Sequence, residues 1–405
     1  MTMRSLAFLL IASFVLVLMA AEEADAGKEP EWSYATDYFV GSVAISADGE
    51  YIVAGSDDRN VYFFDKDSSA PLWSYETGDD VNSVAISDDG EYIVASSDDH
   101  KIYLFGKNGA LWNYTTDDDV NSVAISADGK YIVAGSWDDN IYLFDKDNST
   151  PLWSYNTGHW VYAVAISADG EYIVAGSSDD KVYLFDKDSN TPLWNYTAEN
   201  DIGAVAISAN GEYIVASEKW DKNIYLFDKD GFLWNYAVYD PIRSIAISAD
   251  GEYIAAGSED SKVYLFDKDS STPLWKYNAV DWVNSVAISA DGEYIAASSW
   301  GFDGSKQYLF DKSGDPLWSY TSTGSNSIDI SADGEYIVAG EKFFVSLFDK
   351  TPGQDGGGGD GEGSTQITED NDDIEEEDDS GISVPSISLI SSIAAVAVIA
   401  LRRRY

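Results

Sequence analysis

Short apolar runs alternate with short polar turns through most of the chain. The unit Ala163–Tyr196 shows the pattern, with apolar runs at Val164–Ile166, Tyr172–Ala175 and Val182–Phe185 and a W-x-Y triplet that starts at Trp194. Runs of this length, bounded by Gly, Asp and Ser, are typical of β-strands. Because the first three runs are apolar at nearly every position, we expect both faces of each sheet to be buried.

The same unit recurs along the chain. The phrase S-V-A-I-S and its close variants begin at Ser42, Ser83, Ser122, Ala163, Ala204, Ser244, Ser285 and Ser327, at intervals of 39 to 42 residues. A period near 40 residues with four short strands is the signature of a propeller blade. The sequence therefore predicts an all-β fold, an eight-bladed β-propeller of four-stranded antiparallel blades.

The count of strands predicts how the ring closes. The units that begin at Ser42 to Ser327 are followed by only seven W-x-Y triplets, and the last unit runs past Asp349 into glycines. An eighth triplet, Trp32-Ser33-Tyr34, precedes the first unit. We therefore expect the N-terminal strand to complete the last blade, which leaves no open sheet edge. The W-x-Y tryptophans are predicted to be structural docking residues: Trp32, Trp73, Trp112, Trp153, Trp194, Trp234, Trp275 and Trp318.

The two ends of the chain have the composition of export and anchoring segments. Residues 1–26 are predicted to be a signal peptide, with Arg4, an apolar stretch Leu6–Ala21 and an A-x-A site at Ala24–Ala26; an uncleaved anchor helix is the alternative. The propeller is assigned to residues 27–350.

A spacer and a hydrophobic tail follow the propeller. Residues 351–381 are predicted to be an acidic, glycine-rich, disordered linker, and residues 382–401 are uncharged and long enough for a transmembrane helix. The basic end, 402–405, should stay in the cytoplasm. We therefore expect an exported protein at the outer face of the cytoplasmic membrane, the cell surface, held by a single C-terminal anchor.

Composition excludes several kinds of chemistry. The chain has 71 Asp and Glu against 24 Lys and Arg, a formal net charge of −47, which disfavours nucleic acid as a partner. It has no Cys and only two His, which disfavours thiolate and histidine metal sites; no metal site and no cofactor are predicted, and weak calcium binding by loops such as Asp145–Ser149 is the alternative. Aspartates that recur in nearly every unit, such as Asp48 and Asp65, are interpreted as turn residues rather than catalytic groups, because a catalytic residue is needed only once. No catalytic residue is predicted.

Some aromatic residues do not follow the repeat. Predicted b–c loops contain Trp137, Trp220 and Trp300, and d–a loops contain Trp160 and Trp282. Because strands alternate in direction, both loop types lie on one rim, where Phe302, His159 and Arg243 are also expected. Exposed aromatic residues on one surface favour a ligand-binding rim. Packing of these rings over the blade ends is the alternative.

Three resemblances add to this interpretation. S-V-A-I-S-A-D-G-E-Y-I-V-A-G-S resembles WD40 repeats, with Phe-Asp where that family has Trp-Asp and without its Gly-His pair. Leu184-Phe185-Asp186 through Trp194 resembles the tryptophan-docking motif of PQQ (quinoprotein)-like propellers, which often have eight blades. The tail around Val384-Pro385-Ser386 is similar to prokaryotic sorting signals of the exosortase and archaeosortase type, although the usual triplet is missing.

The predicted function is that of a non-catalytic binding scaffold at the cell surface that recognises a protein or glycan ligand on its aromatic and acidic rim. One alternative is a PQQ-like quinone- or metal-dependent enzyme domain, although the uniform blades carry no insertions for cofactor ligands. A structural surface-layer component is a further alternative. The membrane is expected as a partner through the C-terminal helix.

Overall fold

The computed structural model describes residues 28–301 and 304–352. These residues belong to one compact unit, Met1–Gly357. The predicted signal peptide, nearly all of the acidic linker, the predicted transmembrane helix, the basic end and Phe302 lie outside the described residues. Within the described ranges, no helix has the length and the apolar composition needed to cross a membrane.

The described residues form eight four-stranded antiparallel sheets, which confirms the predicted eight-bladed propeller. We number the blades 1 to 8 along the chain and name the strands of each blade a to d. Strands a of neighbouring blades pack against each other, and strands d lie outermost with alternate residues exposed. Both faces of strands b and c are buried, as their continuous apolar character predicts.

Strands a have six residues in every blade, strands b and c have six in all blades but blade 7, and strands d have four to seven. Strands a are Val40–Ile45, Val81–Ile86, Val120–Ile125, Val161–Ile166, Ile202–Ile207, Ile242–Ile247, Val283–Ile288 and Ser325–Ile330. Strands b are Tyr51–Ser56, Tyr92–Ser97, Tyr131–Ser136, Tyr172–Ser177, Tyr213–Glu218, Tyr253–Ser258, Tyr294–Gly301 and Tyr336–Glu341. Strands c are Asn60–Asp65, Lys101–Gly106, Asn140–Asp145, Lys181–Asp186, Asn223–Asp228, Lys262–Asp267, Gly304–Asp311 and Phe344–Asp349. Strands d are Trp73–Glu76, Gly109–Thr115, Trp153–Asn156, Trp194–Thr197, Gly231–Ala237, Trp275–Asn278, Pro316–Thr321 and, in blade 8, Trp32–Ala35.

The N-terminal strand closes the ring, as predicted. Trp32–Ala35 pairs antiparallel with Phe344–Asp349, so that Ser33 lies opposite Ser346. The two serine hydroxyls lie 2.9 Å apart, and the Lys28 ammonium forms an ion pair with Asp349. The first strand of the chain therefore covers the edge of the last sheet.

Tryptophans of strand d join each blade to the next. The Trp73 indole N–H donates to the backbone carbonyl of Lys107 in blade 2 at 3.0 Å, and its ring packs on Phe105 at 5.1 Å. Trp318 packs in the same way on Phe348. The indole bonds of this kind join Trp32 to Lys66, Trp73 to Lys107, Trp112 to Lys146, Trp153 to Lys187, Trp194 to Lys229, Trp234 to Lys268 and Trp275 to Lys312.

The a–b turns form a second, closed connection around the ring. In blade 1 the Ala47 N–H donates to the Asp88 carbonyl of blade 2, and eight such bonds of 2.9–3.1 Å return to Ala47 through Ala332 of blade 8. Within the turn, the Asp48 carboxylate accepts from the Ser46 hydroxyl and from the Glu50 N–H. The repeated aspartates of this position therefore hold turns.

The seam between blades 8 and 1 carries an additional carboxylate. Asp329 takes the place that alanine has in the other seven blades, as at Ala44. One of its oxygens accepts from the Ile45 N–H of blade 1 at 3.0 Å, and Ser327 accepts from the Val43 N–H. Burial raises the pKa of Asp329 to about 6. The closing seam is therefore bound by side chains as well as by the N-terminal strand.

Ring closure predicts that a cross-link between Ser33 and Ser346 will stabilise the protein. The chain has no cysteine, so Ser33→Cys with Ser346→Cys can form a single disulfide. Because this bond would close nearly the whole propeller, we expect about 3–5 kcal/mol of stabilisation on oxidation, seen as a rise in the thermal unfolding midpoint that reductant reverses. Ser33→Cys with Ser74→Cys, which joins the first strand to the wrong blade, is the control. Equal behaviour of the two pairs would show that the ring closes differently.

Asp329 predicts a pH-dependent contribution to stability. A carboxyl whose pKa is about 6 in the folded protein and about 3.8 in the unfolded chain stabilises the fold below pH 4, and this contribution is lost as the pH rises through 6. The free energy of unfolding of the native chain, relative to Asp329→Ala, should therefore fall by about 2–3 kcal/mol between pH 4 and pH 7 in urea titrations. Ser327→Ala removes a neutral partner of the same seam and should show a pH-independent difference. A flat difference for Asp329→Ala would contradict the assignment.

Candidate ligand-binding rim

The d–a and b–c loops meet on one rim, as the alternation of strands predicts. In each blade, the residue that follows the sixth residue of strand b donates its backbone N–H to the carbonyl of the last residue before strand a. These hydrogen bonds are 2.8–3.0 Å long. We call these two residues a rim pair. The eight rim pairs, in blade order, are Phe39 and Asp57, Asp80 and Asp98, Asp119 and Trp137, Trp160 and Ser178, Asp201 and Lys219, Pro241 and Glu259, Trp282 and Trp300, and Gly324 and Lys342.

The rim pairs combine a constant backbone with variable side chains. The bond between them uses only main-chain atoms, so it is the same whether the pair is Asp80 with Asp98 or Trp282 with Trp300. On the opposite rim, side chains such as Ser46 and Asp48 hold the turns themselves and therefore repeat. The side chains of the rim pairs can therefore differ in charge and polarity between blades while the backbone fold stays the same.

One aromatic cluster extends across blades 3, 4 and 5. Trp137 and Trp160 stack at 5.1 Å between ring centroids, and Trp160 contacts the edge of Tyr162 at 6.4 Å. The Lys219 ammonium lies 3.3 Å from the Tyr162 ring centroid and 5.5 Å from that of Trp220. Trp220 is 66% exposed, whereas Trp137 is half-buried under its neighbour. The cluster thus contains both packed and exposed indoles.

A second aromatic cluster lies on blade 7. Trp282 and Trp300, each about two-fifths exposed, line a cavity of about 250 Å³ together with Asp281 and Gly301. Arg243 lies 5.7 Å from the Trp282 ring and is paired with Glu259 at 2.7 Å. Among the eight rim pairs, this pair alone consists of two tryptophans.

The prediction that Trp300 lies in a loop is wrong. It belongs to strand b of blade 7, Tyr294–Gly301, where it pairs with Ser305. The hairpin is longer than in the other blades because Gly304 takes a positive φ of 133° beside Gly301, which continues the ladder by two residue pairs. Trp300 is therefore held in a strand, its N–H donates to the Trp282 carbonyl at 2.9 Å, and its ring lies 6.4 Å from that of Phe39.

Asp281 and Gly301 are in close contact at the base of this cavity. The Asp281 carboxylate accepts from the Trp282 N–H at 2.8 Å. A Cβ atom at position 301 would lie 1.9 Å from the Asp281 carboxylate carbon, so only glycine leaves room for this carboxylate. Asp281 was expected among the acidic residues of the aromatic rim, whereas Gly301 was not, because the contact joins strand b to a d–a loop that is separate in the chain.

Blades 1 to 3 present an acidic sector between the two clusters. Burial, and then the nearby carboxylates of Asp80 and Asp98, raise the pKa of Asp57 to about 6. Burial and the charge of Asp98 also raise the pKa of Asp119. Such shifts indicate closely spaced negative charges that attract cations.

The acidic sector includes one of the two histidines. His100 Nδ1 lies 3.0 Å from Asp119 Oδ1. With Asp118, these two residues place three ligand atoms within 4.8 Å of one another, a set that could hold a metal ion. No metal site was predicted here, because His100 lies in a b–c loop and Asp118 and Asp119 lie in a d–a loop that the sequence does not bring together. His159, a predicted rim residue, is exposed beside Trp160, and its carbonyl accepts from Thr157 and Ser177.

Comparison with known protein families agrees with this architecture. Four segments match the WD domain, G-beta repeat: residues 30–65, 70–105, 111–145 and 149–186. The matched segments lie in the first half of the propeller. Each matched segment begins with strand d of one blade and continues through strands a to c of the next, so every repeat joins two blades. Residues 174–309 match a family of unknown function, DUF5711. No curated protein matches the chain.

The geometry predicts different costs for rim and docking tryptophans. Trp137→Ala and Trp160→Ala should be coupled by about 0.5–1.5 kcal/mol in a double-mutant cycle of unfolding free energies, because the two rings stack. Trp194→Ala, which removes a ring packed between blades, should cost about 3–5 kcal/mol. Trp220→Ala is the exposed control and should change stability by about 0.5 kcal/mol or less. A large cost at Trp220 would mean that the rim rings belong to the core.

Proposed function

We propose that this protein is a non-catalytic, exported cell-surface scaffold that binds a protein or glycan ligand on its variable rim. The observation that carries the proposal is the asymmetry of the ring. One rim repeats the same turn residues in nearly every blade, whereas the rim pairs differ from blade to blade and gather the exposed indoles. Exposed aromatic residues concentrated on one surface are typical of binding sites.

Two features favour a binding function over catalysis. WD40 propellers, whose repeats the first half of the chain matches, are generally non-catalytic. The most frequent ionisable groups, such as Asp48 and Asp89, hold turns through the same two hydrogen bonds in successive blades. A site assembled from rim pairs, with rigid backbones and variable side chains, suits recognition.

The sequence supports the proposed location at the cell surface. Residues 1–26 have the pattern of a signal peptide, and residues 382–401 with the arginines after them have that of a C-terminal anchor. In this arrangement the ligand would come from the envelope or from outside the cell.

The proposal predicts that rim substitutions abolish ligand capture without unfolding the protein. Purified full-length chain would be immobilised and exposed to an envelope extract of the source organism, before and after protease or periodate treatment to separate protein from glycan ligands. The rim variant Trp160→Ala with Trp300→Ala should lose the captured component, with at least a tenfold weaker retention, because buried rings dominate binding energy.

The control variant changes the opposite rim. Asp67→Asn with Asp147→Asn and Asp188→Asn alters side chains that are about four-fifths exposed there, and it should bind as the native chain does. Equal capture by the native chain, the control and the rim variant would place the binding surface elsewhere.

A further inference from the structure

We propose that the cavity between Trp282 and Trp300 receives an alkylammonium group, presented as a lysine-type side chain of a basic partner protein. This inference rests on the proposed function and names the chemistry of its ligand. It follows from the two indoles, the carboxylate between them and the charge of the whole chain.

The cavity has the composition of a cation site. Two tryptophans, the aromatic residues that attract cations most strongly, border a volume of about 250 Å³, enough for a substituted ammonium group and its alkyl chain. Asp281 supplies a negative charge at the same place, fixed by the Trp282 N–H. The rings would contact the apolar substituents of the ligand, and the carboxylate would offset its charge.

Glycine 301 makes the carboxylate part of the cavity. Any side chain at this position would displace the Asp281 carboxylate, since even a Cβ would lie 1.9 Å from its carbon. Gly301 pairs with Gly304 in the extended hairpin, next to the pair of Trp300 with Ser305, and the Trp300 N–H donates to the Trp282 carbonyl at 2.9 Å. The longer hairpin and the glycine thus bring ring and carboxylate together.

Several rim rings, Trp282 among them, already lie beside cations of the chain itself. Arg243 lies over Trp282, Lys219 lies over Tyr162, and Lys342 lies 5.7 Å from the Phe39 ring. Glu259 holds the Arg243 guanidinium at 2.7 Å, so one face of Trp282 is stacked by an internal cation. The cavity offers Trp282 and Trp300 to a cation from outside.

Charge and polarity favour an ammonium group over a sugar or an anion. A net charge of −47 attracts basic ligands and repels polyanions. A sugar ring needs several hydrogen-bonding groups placed around its hydroxyls, whereas the described residues that line this cavity supply one carboxylate and two indole rings. A lysine side chain, methylated or not, matches that short set of contacts.

Calorimetric titration of the full-length chain tests the inference directly. The probe is N-acetyl-trimethyllysine amide, and its neutral isostere, with carbon in place of the ammonium nitrogen, is the matched control. We expect the charged probe to bind at least tenfold more tightly than the isostere, and added salt to weaken only the charged probe. Asp281→Asn and Gly301→Ala should each reduce affinity about tenfold, and Trp300→Ala should abolish binding. Trp220→Ala, in the other cluster, should leave it unchanged.

Further arms separate the sources of the ligand. Acetyl-lysine amide removes the charge and should not bind. Free tetramethylammonium and a choline headgroup carry the same charge without the peptide; if they bind as tightly as the lysine probe, the partner is a small molecule or lipid and the protein assignment is wrong. Equal binding of probe and isostere, or tighter binding of a methyl glucoside, would overturn the cation site.

The outcome is distinguishable from failure of the proposed function. If the rim variant loses the envelope ligand but the ammonium probe does not bind, the scaffold proposal stands and the cation inference fails. If the probe binds at Trp300 while envelope capture is unaffected by rim substitutions, the cavity is a cation site and the proposed function fails. Unfolding midpoints of Asp281→Asn and Gly301→Ala, measured alongside, identify a variant that has lost its fold; Asp281→Asn keeps the side-chain shape and is the decisive one.

Discussion

No blade of this propeller can be stable alone, because both faces of its inner strands are apolar and need a neighbour. Each core cluster lies between two blades; the one that joins blades 8 and 1 contains Val40, Ile52 and Phe64 of blade 1 with Val338 and Leu347 of blade 8. An open ring would expose two such faces and a sheet edge. Closure by Trp32–Ala35 is therefore the constraint on which every other contact depends, and the additional hydrogen bond of Asp329 lies at that same seam.

The contacts that close the ring lie outside the rim of the d–a and b–c loops, so the side chains on that rim can vary. The inner strands, the indole bonds to the next blade and the ring of a–b turns all rest on residues that repeat, and these contacts lie in the core and on the opposite rim. The only contact that all eight rim pairs share is a main-chain hydrogen bond. Side chains there can differ in every blade at little cost to stability, which explains how two aromatic clusters and an acidic sector share one eightfold scaffold.

The repeat alone was enough to predict the fold, since period, strand order and the displaced Trp32 triplet all follow from local pattern. It was not enough for the site. The sequence pattern predicts a loop at Trp300, whereas the hairpin there is extended through Gly301 and Gly304. Glycines in a strand pattern do not indicate that a hairpin is longer than its equivalents. Asp281 with Gly301, and His100 with Asp119, come together only when the b–c hairpin of one blade meets a neighbouring d–a loop, a proximity that linear spacing does not encode. Comparing equivalent positions across blades would have identified the rim pairs.

The central claim is that the side chains of the rim pairs serve ligand binding and contribute little to the stability of the fold. It is tested most directly by the thermal unfolding midpoint of a chain with Trp282→Asp and Trp300→Asp, which gives blade 7 the pair that Asp80 and Asp98 form in blade 2. The account predicts a midpoint within a few degrees of the native chain, because the main-chain bond between the two positions is retained. A collapse of the midpoint like that expected for a docking tryptophan would contradict it and would assign these rings to the core.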